Sequence, residues 1–215
     1  MIEVLETPSA LLSSRLEAYP PERILHTPTP GTATEEDLLA ERETLAELID
    51  GTLVEKAMGA RASFVQYRLM LWLGNFVEAN NLGILLGADL IVRVGPNQLR
   101  LPDLSYYSIK LWDRPWMELP NIMPVMPELA IEVLSDGNTK SEMQEKRNEY
   151  FAAGVNLVWI VDPIRFAVQV YTSPMDQTLL SRTDTLDGGA VLPGFTLPLA
   201  KLFDDPREQV QGEKS

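Results

Sequence analysis

A single charged residue, Glu132, interrupts a segment that otherwise has the pattern of a buried β-strand. In residues 129–134 the odd-numbered positions are all apolar, and the even-numbered positions are apolar except for Glu132. Because side chains alternate between the two faces of a strand, this pattern predicts a central strand covered on both sides. A carboxylate buried there without a partner would take up a proton or cost several kcal/mol, roughly. A Lys or Arg, a network of donors or a metal ion must therefore lie beside Glu132, and a purely structural ion pair would meet the same need.

Length and composition predict one globular domain. The 215 residues are enough for a full core, and their hydrophobic (45%) and charged (23%) fractions are ordinary for a globular protein. No apolar run approaches about 18 residues and no charged-then-apolar leader is seen, so we expect neither a membrane span nor a signal peptide. The sequence has no Cys, which fits a cytoplasmic protein, and its one His is His26. A bound metal would therefore be held by oxygen ligands, which favours Mg²⁺, Mn²⁺ or Ca²⁺.

Negative charge is concentrated in the N-terminal part of the chain. The net charge is −13, and residues 1–50 hold 11 acidic and 3 basic side chains, whereas residues 51–103 hold 4 and 5. The total argues against broad, non-specific attraction to nucleic acid. The distribution still allows a neutral or basic face elsewhere.

The first half of the chain is predicted to alternate helices and strands. Thr34 begins a helix whose apolar stripe runs to a stop at Asp50-Gly51. The stripe consists of Leu38, Leu45, Leu48 and Ile49. A short strand follows at residues 52–55, and a long amphipathic helix follows at residues 60–80.

A hairpin and a second helix–strand unit complete the predicted core. Residues 84–94 and 99–107 are predicted strands, joined by a turn so short that they must be antiparallel. After the Glu132 strand, Thr139 and Glu142 match a capping box that begins a helix ending near Ala153. A near-continuous apolar run then predicts a buried strand at residues 156–161, and a further strand follows at residues 166–172.

These elements predict a single α/β (α+β) domain over residues 34–203, with a mixed β-sheet flanked by helices. Residues 1–33 are rich in Pro, Ser and Thr and are predicted to form an extended or partly ordered arm. Residues 204–215 are predicted to be a polar tail.

Asp103, Glu132 and Lys146 are predicted to meet in one pocket. The two carboxylates lie on adjacent strands, and Lys146 lies in the second turn of the helix after the Glu132 strand. Two converging carboxylates repel each other, so one is protonated or a divalent cation lies between them. Together with a lysine they are the apparatus of metal-assisted phosphodiester hydrolysis. Glu142, Lys146 and Tyr150 share a helix face, although a surface pair of Glu142 with Lys146 explains that spacing equally well.

Seven short motifs follow one another along the chain: Glu47-Leu48-Ile49-Asp50-Gly51, Pro102-Asp103, Glu132-Val133-Leu134-Ser135, Glu145-Lys146 with Tyr150, Gly154-Val155, Trp159-Ile160-Val161-Asp162-Pro163 and Leu192-Pro193-Gly194-Phe195. Their order resembles the PD-(D/E)XK nuclease superfamily. Within it the chain is similar to the Uma-type family of restriction endonuclease-like proteins, first described as a domain of unknown function. The resemblance covers roughly residues 45–203.

This resemblance implies a restriction-endonuclease-like fold and a role for each site residue. Asp103 and Glu132 would be metal ligands, Lys146 the catalytic lysine and Glu47 a further acidic ligand. The implied cofactor is Mg²⁺ or Mn²⁺, the implied substrate is DNA, and a homodimer is expected because duplex cleavage needs two active sites.

The chain departs from the wider pattern at two places. The superfamily's lysine commonly lies two residues after the acid, where this chain has Leu134, but the Uma-type pattern moves it to the next helix, where Lys146 stands. Relatives often carry a His soon after the Glu55 region, and this sequence has none there. The candidates for phosphate contact are Arg93, Arg100, Lys140 and Arg147, and the commoner alternative for such residues is a position on a solvated face.

The preferred function is Mg²⁺- or Mn²⁺-dependent cleavage of DNA phosphodiester bonds by a cytoplasmic enzyme. The alternative is a catalytically silent protein of nuclease fold that binds nucleic acid or a protein partner, and metal affinity separates the two. In a third interpretation the chain is a general interaction protein, and Glu132 and Lys146 form an internal salt bridge and nothing more.

Overall fold

The computed structural model describes residues 15–41 and 43–205, so the outer parts of the predicted arm and tail lie outside the described residues. Thirteen strands lie within the described residues: β1 (Ala46–Ile49), β2 (Thr52–Glu55), β3 (Gly83–Leu86), β4 (Ile91–Gly95), β5 (Gln98–Arg100), β6 (Leu104–Ser108), β7 (Ile122–Met123), β8 (Leu129–Val133), β9 (Leu157–Asp162), β10 (Ala167–Tyr171), β11 (Gln177–Leu180), β12 (Thr185–Gly188) and β13 (Leu192–Pro198). Four α-helices lie wholly within them: α1 (Glu35–Ala40), α2 (Ala60–Ala79), α3 (Lys140–Ala152) and α4 (Leu199–Phe203).

Two mixed sheets and a hairpin are formed by the strands of this described part. Sheet B has the strand order β11-β10-β9-β8-β6-β3, in which β8 and β9 are parallel and the other neighbours are antiparallel. Sheet A has the order β2-β1-β5-β4-β7, and β12 pairs with β13 in the separate hairpin. The mixed sheets and their flanking helices confirm the predicted fold class.

Helices cover both faces of sheet B. The apolar face of α2 packs on the side of β8 that carries Leu129, Ile131 and Val133. Helix α3 packs on the other side, which carries Ala130, and therefore also the Glu132 side chain. This two-sided burial is the arrangement that the alternating pattern of residues 129–134 predicts. Among the described residues, no helix is long and apolar enough to cross a membrane.

The predicted hairpin is confirmed, but it passes from one sheet to the other. Its outer half is the antiparallel pair β4–β5 in sheet A, and its base is the antiparallel pair β3–β6 in sheet B. The two strands predicted as continuous are each broken, at residues 87–90 and at residues 101–103. Pro102 lies in the second break and has no N–H to donate to a strand ladder. Asp103 consequently stands at the break, directly before β6.

The prediction of one helix from Thr34 to Asp50 is wrong in its second half. Helix α1 ends at Ala40, and residues 46–49 form strand β1, which pairs with β2 on one side and β5 on the other. All four residues of β1 are buried. The apolar positions in residues 38–49 are too few for their spacing to separate helix from strand. Pairing with β2 and β5 and burial of the whole segment instead favour a strand at residues 46–49.

Arg23 attaches the segment before α1 to the rest of the fold. Its guanidinium donates two hydrogen bonds to the Glu142 carboxylate, at 2.8 and 2.9 Å. It donates two more to the carbonyl oxygens of Glu55, at 2.7 Å, and Gly137, at 3.0 Å. Glu142 is fully buried and also completes the predicted capping box with Thr139. The Arg23 side chain therefore joins the end of β2 to the beginning of α3.

We expect the Arg23→Ala variant to lose about 2–3 kcal/mol of the free energy of unfolding, because it leaves the buried Glu142 carboxylate without its cation. Arg15→Ala is the matched control: Arg15 pairs with Asp50 and Glu149 at 3.7 and 3.4 Å, but its side chain is 45% exposed. Its loss should stay below about 1 kcal/mol. Urea unfolding of the two variants measures the difference, and equal losses would contradict this role of Arg23.

Candidate active site

Asp103 and Glu132 lie on the same face of neighbouring strands. Strands β6 and β8 are antiparallel and pair Leu104 with Ile131, so one further step of this register sets Asp103 opposite Glu132. Residues that face each other across an antiparallel pair project to the same side. Asp103 is held in place because its Oδ2 accepts a hydrogen bond of 2.6 Å from the backbone N–H of Val133.

Glu132 is almost completely buried, at 4% exposure, and has three polar contacts. The Tyr150 hydroxyl donates a short hydrogen bond to Oε1, and Lys146 Nζ lies 3.4 Å from each carboxylate oxygen. Burial raises the pKa of the Glu132 carboxyl; Lys146 and Lys56 oppose this rise, and Asp103 adds to it. Glu132 therefore lies within the electrostatic reach of both lysines and of the second carboxylate.

Lys146 lies between two carboxylates. Its Nζ is 2.9 Å from Glu47 Oε1 and 3.4 Å from Glu132 Oε1, and its side chain is 1% exposed. Burial lowers the pKa of the Lys146 ammonium, but Glu132 and Glu47 outweigh it and the net shift is upward. The lysine is therefore a fixed ammonium ion inside this buried network, and it is not a surface partner of Glu142.

Glu47 is the anchor of this ammonium ion. Besides Lys146, its carboxylate accepts hydrogen bonds of 3.0 Å from Arg100 Nη1 and from the Leu101 backbone N–H. Burial opposes ionisation of Glu47, but Lys146 and Arg100 lower its pKa to about 2. Glu47 is thus a buried, ionised carboxylate that holds Lys146 in place. It lies on strand β1, the segment that was wrongly predicted to be helical.

Arg100 is a buried member of the same network. It is fully buried, and its Nε donates a hydrogen bond of 2.7 Å to Glu149 Oε2 in addition to the bond with Glu47. Arg100 therefore does not lie on a solvated face, and its side chain is bound to two carboxylates within the protein. Sequence pattern does not separate a basic residue on a solvated face from one that neutralises buried acids.

Lys56 is a site residue that the sequence analysis did not identify. It directly follows β2, is 5% exposed, and places Nζ 2.8 Å from Asp103 Oδ1 while donating a hydrogen bond to the Leu101 carbonyl. The feature that would identify it is the pairing of β1 with β2, which the prediction of a helix at residues 46–49 had hidden. The register sets Glu47 opposite Val54, and the period of two puts Lys56 on the same face as Val54.

The structure brings all four predicted site residues, Glu47, Asp103, Glu132 and Lys146, into one network at the meeting point of the two sheets and α3. Their chemical roles stay a prediction. The other phosphate-contact candidates do not belong to this network: Arg93 pairs with Glu35, and Arg147 stacks on the Tyr171 ring at 4.7 Å.

Comparisons with known proteins identify the family and the fold. The model of a family described as "Uma2: Putative restriction endonuclease" matches residues 34–200. A crystal structure of a "putative nuclease belonging to DUF820" from Anabaena variabilis superposes with a TM-score of 0.69 at 20% sequence identity. That alignment covers 78% of this chain and 96% of the other, and at this identity it shows a common fold. None of the curated proteins matches the chain.

Proposed function

Because the chain belongs to the Uma2 family of restriction endonuclease-like proteins, we propose that it hydrolyses DNA phosphodiester bonds as an endonuclease that depends on a divalent metal ion. The proposed location is the cytoplasm, which fits the absence of Cys from the sequence. One observation carries the proposal: Asp103 and Glu132 share a face of adjacent strands, and Lys146 Nζ lies 3.4 Å from the Glu132 carboxylate. This is the set of groups that metal-assisted phosphodiester hydrolysis requires.

The residues present fit a hard divalent cation. Asp103 and Glu132 supply carboxylate oxygens, and Mg²⁺ is typically bound by one or two carboxylates with water and substrate phosphate completing its shell. In residues 15–41 and 43–205 no group of three or more His, Cys, Asp or Glu side chains is placed to hold a metal ion, so the proposed site has two carboxylates, those of Asp103 and Glu132, without Glu47 as a further ligand. When bound, such an ion polarises the phosphoryl group and lowers the pKa of an attacking water.

The protein's own residues supply the remaining functions. The Lys146 ammonium, kept charged by Glu47 and Glu132, stabilises negative charge as it develops on the scissile phosphate. The Tyr150 hydroxyl fixes the Glu132 carboxylate by its hydrogen bond. The backbone N–H of Val133 does the same for Asp103. Both acids are thus oriented before substrate arrives, which removes a cost of reorganisation.

A cleavage assay with several substrates tests the proposal. Supercoiled plasmid, linear duplex DNA, single-stranded DNA and RNA are each incubated with the full chain and Mg²⁺ or Mn²⁺, with EDTA as the metal-free reference. We expect DNA cleavage that EDTA stops and that the Asp103→Asn variant lacks. Substrates left intact by a folded wild-type protein with either ion would contradict the proposal.

The second candidate is a catalytically silent protein of nuclease fold that binds nucleic acid or a protein partner, and one contact favours the absence of catalysis. Lys56 already neutralises Asp103 at 2.8 Å, as an ion pair in a purely structural network would. The two functions differ in metal affinity, since a binding module of this kind needs no divalent ion. Calorimetric titration with Mg²⁺ and Mn²⁺ separates them.

The expected assembly is a homodimer. Cleavage of both strands of a duplex by this site needs two copies, and a two-fold axis supplies them. Light scattering should therefore give twice the 24.0 kDa mass of the chain at high micromolar concentration. A monomer would restrict the proposed activity to the nicking of one strand.

A further inference from the structure

Both oxygens of the Asp103 carboxylate are already engaged within the protein. Oδ2 accepts the hydrogen bond from the Val133 backbone N–H at 2.6 Å, and Oδ1 lies 2.8 Å from the Lys56 ammonium. The Lys56 side chain is 5% exposed and that of Asp103 is 12% exposed, so this ion pair is largely shielded from water. A metal ion that binds Asp103 must therefore displace the Lys56 ammonium or bind next to it.

Both proposed metal ligands already have a cation beside them without an added ion. Lys56 pairs with Asp103, and Lys146 pairs with Glu132 and Glu47. Arg100 is shared between Glu47 and Glu149. A divalent ion that joins this set adds two positive charges next to ammonium groups that are already fixed, which opposes its binding.

Of the three cations, Lys56 is held least firmly. Lys146 and Arg100 each contact two carboxylates and are 1% and 0% exposed. In the described part of the chain, Lys56 forms its ion pair with Asp103 alone, and its other bond goes to the neutral carbonyl of Leu101. Lys56 can thus give up Asp103 and keep one hydrogen bond, whereas the other two cations cannot move without exposing a buried acid.

We propose that Lys56 is an internal cation that competes with the divalent ion for Asp103 and thereby sets the metal concentration at which the site is filled. This inference rests on the proposed function, because it concerns the same pocket. Metal binding then requires that the Lys56–Asp103 contact break, and the wild-type protein binds Mg²⁺ more weakly than its two carboxylates would alone.

The Lys56→Met variant tests the competition, because Met keeps much of the stem and removes the charge. Calorimetric titration should give a Kd for Mg²⁺ and for Mn²⁺ at least about 10-fold lower than that of wild type. The metal-free variant should melt at a lower temperature than wild type, since Asp103 loses its cation, and added Mg²⁺ should raise its Tm by more. Lys110→Met is the matched control: Lys110 is exposed beyond the opposite end of β6, and its loss should leave the Kd unchanged.

Two further variants make the result decisive. Lys56→Gln removes the charge but keeps a donor for Asp103, so it tests the same point if the Met variant folds poorly. In the Lys56→Met/Asp103→Asn double variant the gain in affinity should disappear. If Lys56→Met and Lys56→Gln bind metal as wild type does, the competition is overturned while the nuclease proposal stands. If wild type and all variants bind no metal and cut no DNA, the proposed function and this inference fail together.

Discussion

Replacement of Glu132 by glutamine is expected to abolish divalent-ion binding and DNA cleavage without unfolding the protein. Gln keeps the size of the side chain and an oxygen that can accept the Tyr150 hydroxyl, and a neutral amide is easier to bury than a carboxylate. Lys146 also keeps its other partner, Glu47, at 2.9 Å. The missing negative charge, however, removes one of the two carboxylates proposed to hold the ion. We expect a fall in cleavage rate of about 10³-fold or more and no measurable heat of Mg²⁺ binding.

Glu128→Gln is the matched control for this change. Glu128 directly precedes β8 at the opposite end from Glu132, and its carboxylate accepts a hydrogen bond of 2.8 Å from the Ser108 backbone N–H. The same chemical change beside the other end of β8 should lower stability slightly and leave metal binding and cleavage intact. A Glu132→Gln protein that binds Mg²⁺ as wild type does would show that the ion is held elsewhere.

The sequence predicted the parts of the site that depend on local pattern. Glu132 was identifiable because a single charged residue in a strand that is apolar on both faces needs a partner. The pattern of residues 129–134 is enough to show this. Lys146 followed from the capping box at Thr139, which set the start of α3 and hence the turn on which the lysine lies. Asp103 was predicted on a strand next to the Glu132 strand, and this neighbourhood is correct although residues 101–103 break that strand.

Parts of the site that depend on register between distant strands were not predictable in this way. Glu47 was identified through the family resemblance, yet its strand was assigned as helix, because four apolar-rich residues carry no reliable period. Arg100 is separated by 49 positions from Glu149 and by 53 from Glu47, so nothing local marks it as buried. Lys56 required the pairing of β1 with β2, which places it on the Glu47 face.

Replacement of Lys146 by alanine is expected to lower both activity and stability, for separate reasons. Its ammonium is proposed to stabilise charge on the scissile phosphate, so the cleavage rate should fall roughly 10²-fold or more while DNA affinity changes little. The same change leaves Glu47 and Glu132, both buried, without a shared cation, which should cost about 3–5 kcal/mol of the free energy of unfolding. Denaturant unfolding and single-turnover cleavage, measured well below the Tm of the variant, give the two effects independently.

A double variant distinguishes catalysis by Lys146 from a purely structural ion pair. In Glu132→Gln/Lys146→Met the charges of the ammonium and of one of its carboxylates are removed together, so much of the lost stability should return. If Lys146 mattered for cleavage solely through folding, the Lys146→Met variant assayed under fully folded conditions would cut DNA at the wild-type rate. If Lys146 acts as proposed, the folded Lys146→Met variant is inactive, because no other described cation lies within 4.0 Å of both Glu47 and Glu132. A folded and active Lys146→Met protein would therefore remove the lysine from the mechanism and leave it a structural residue.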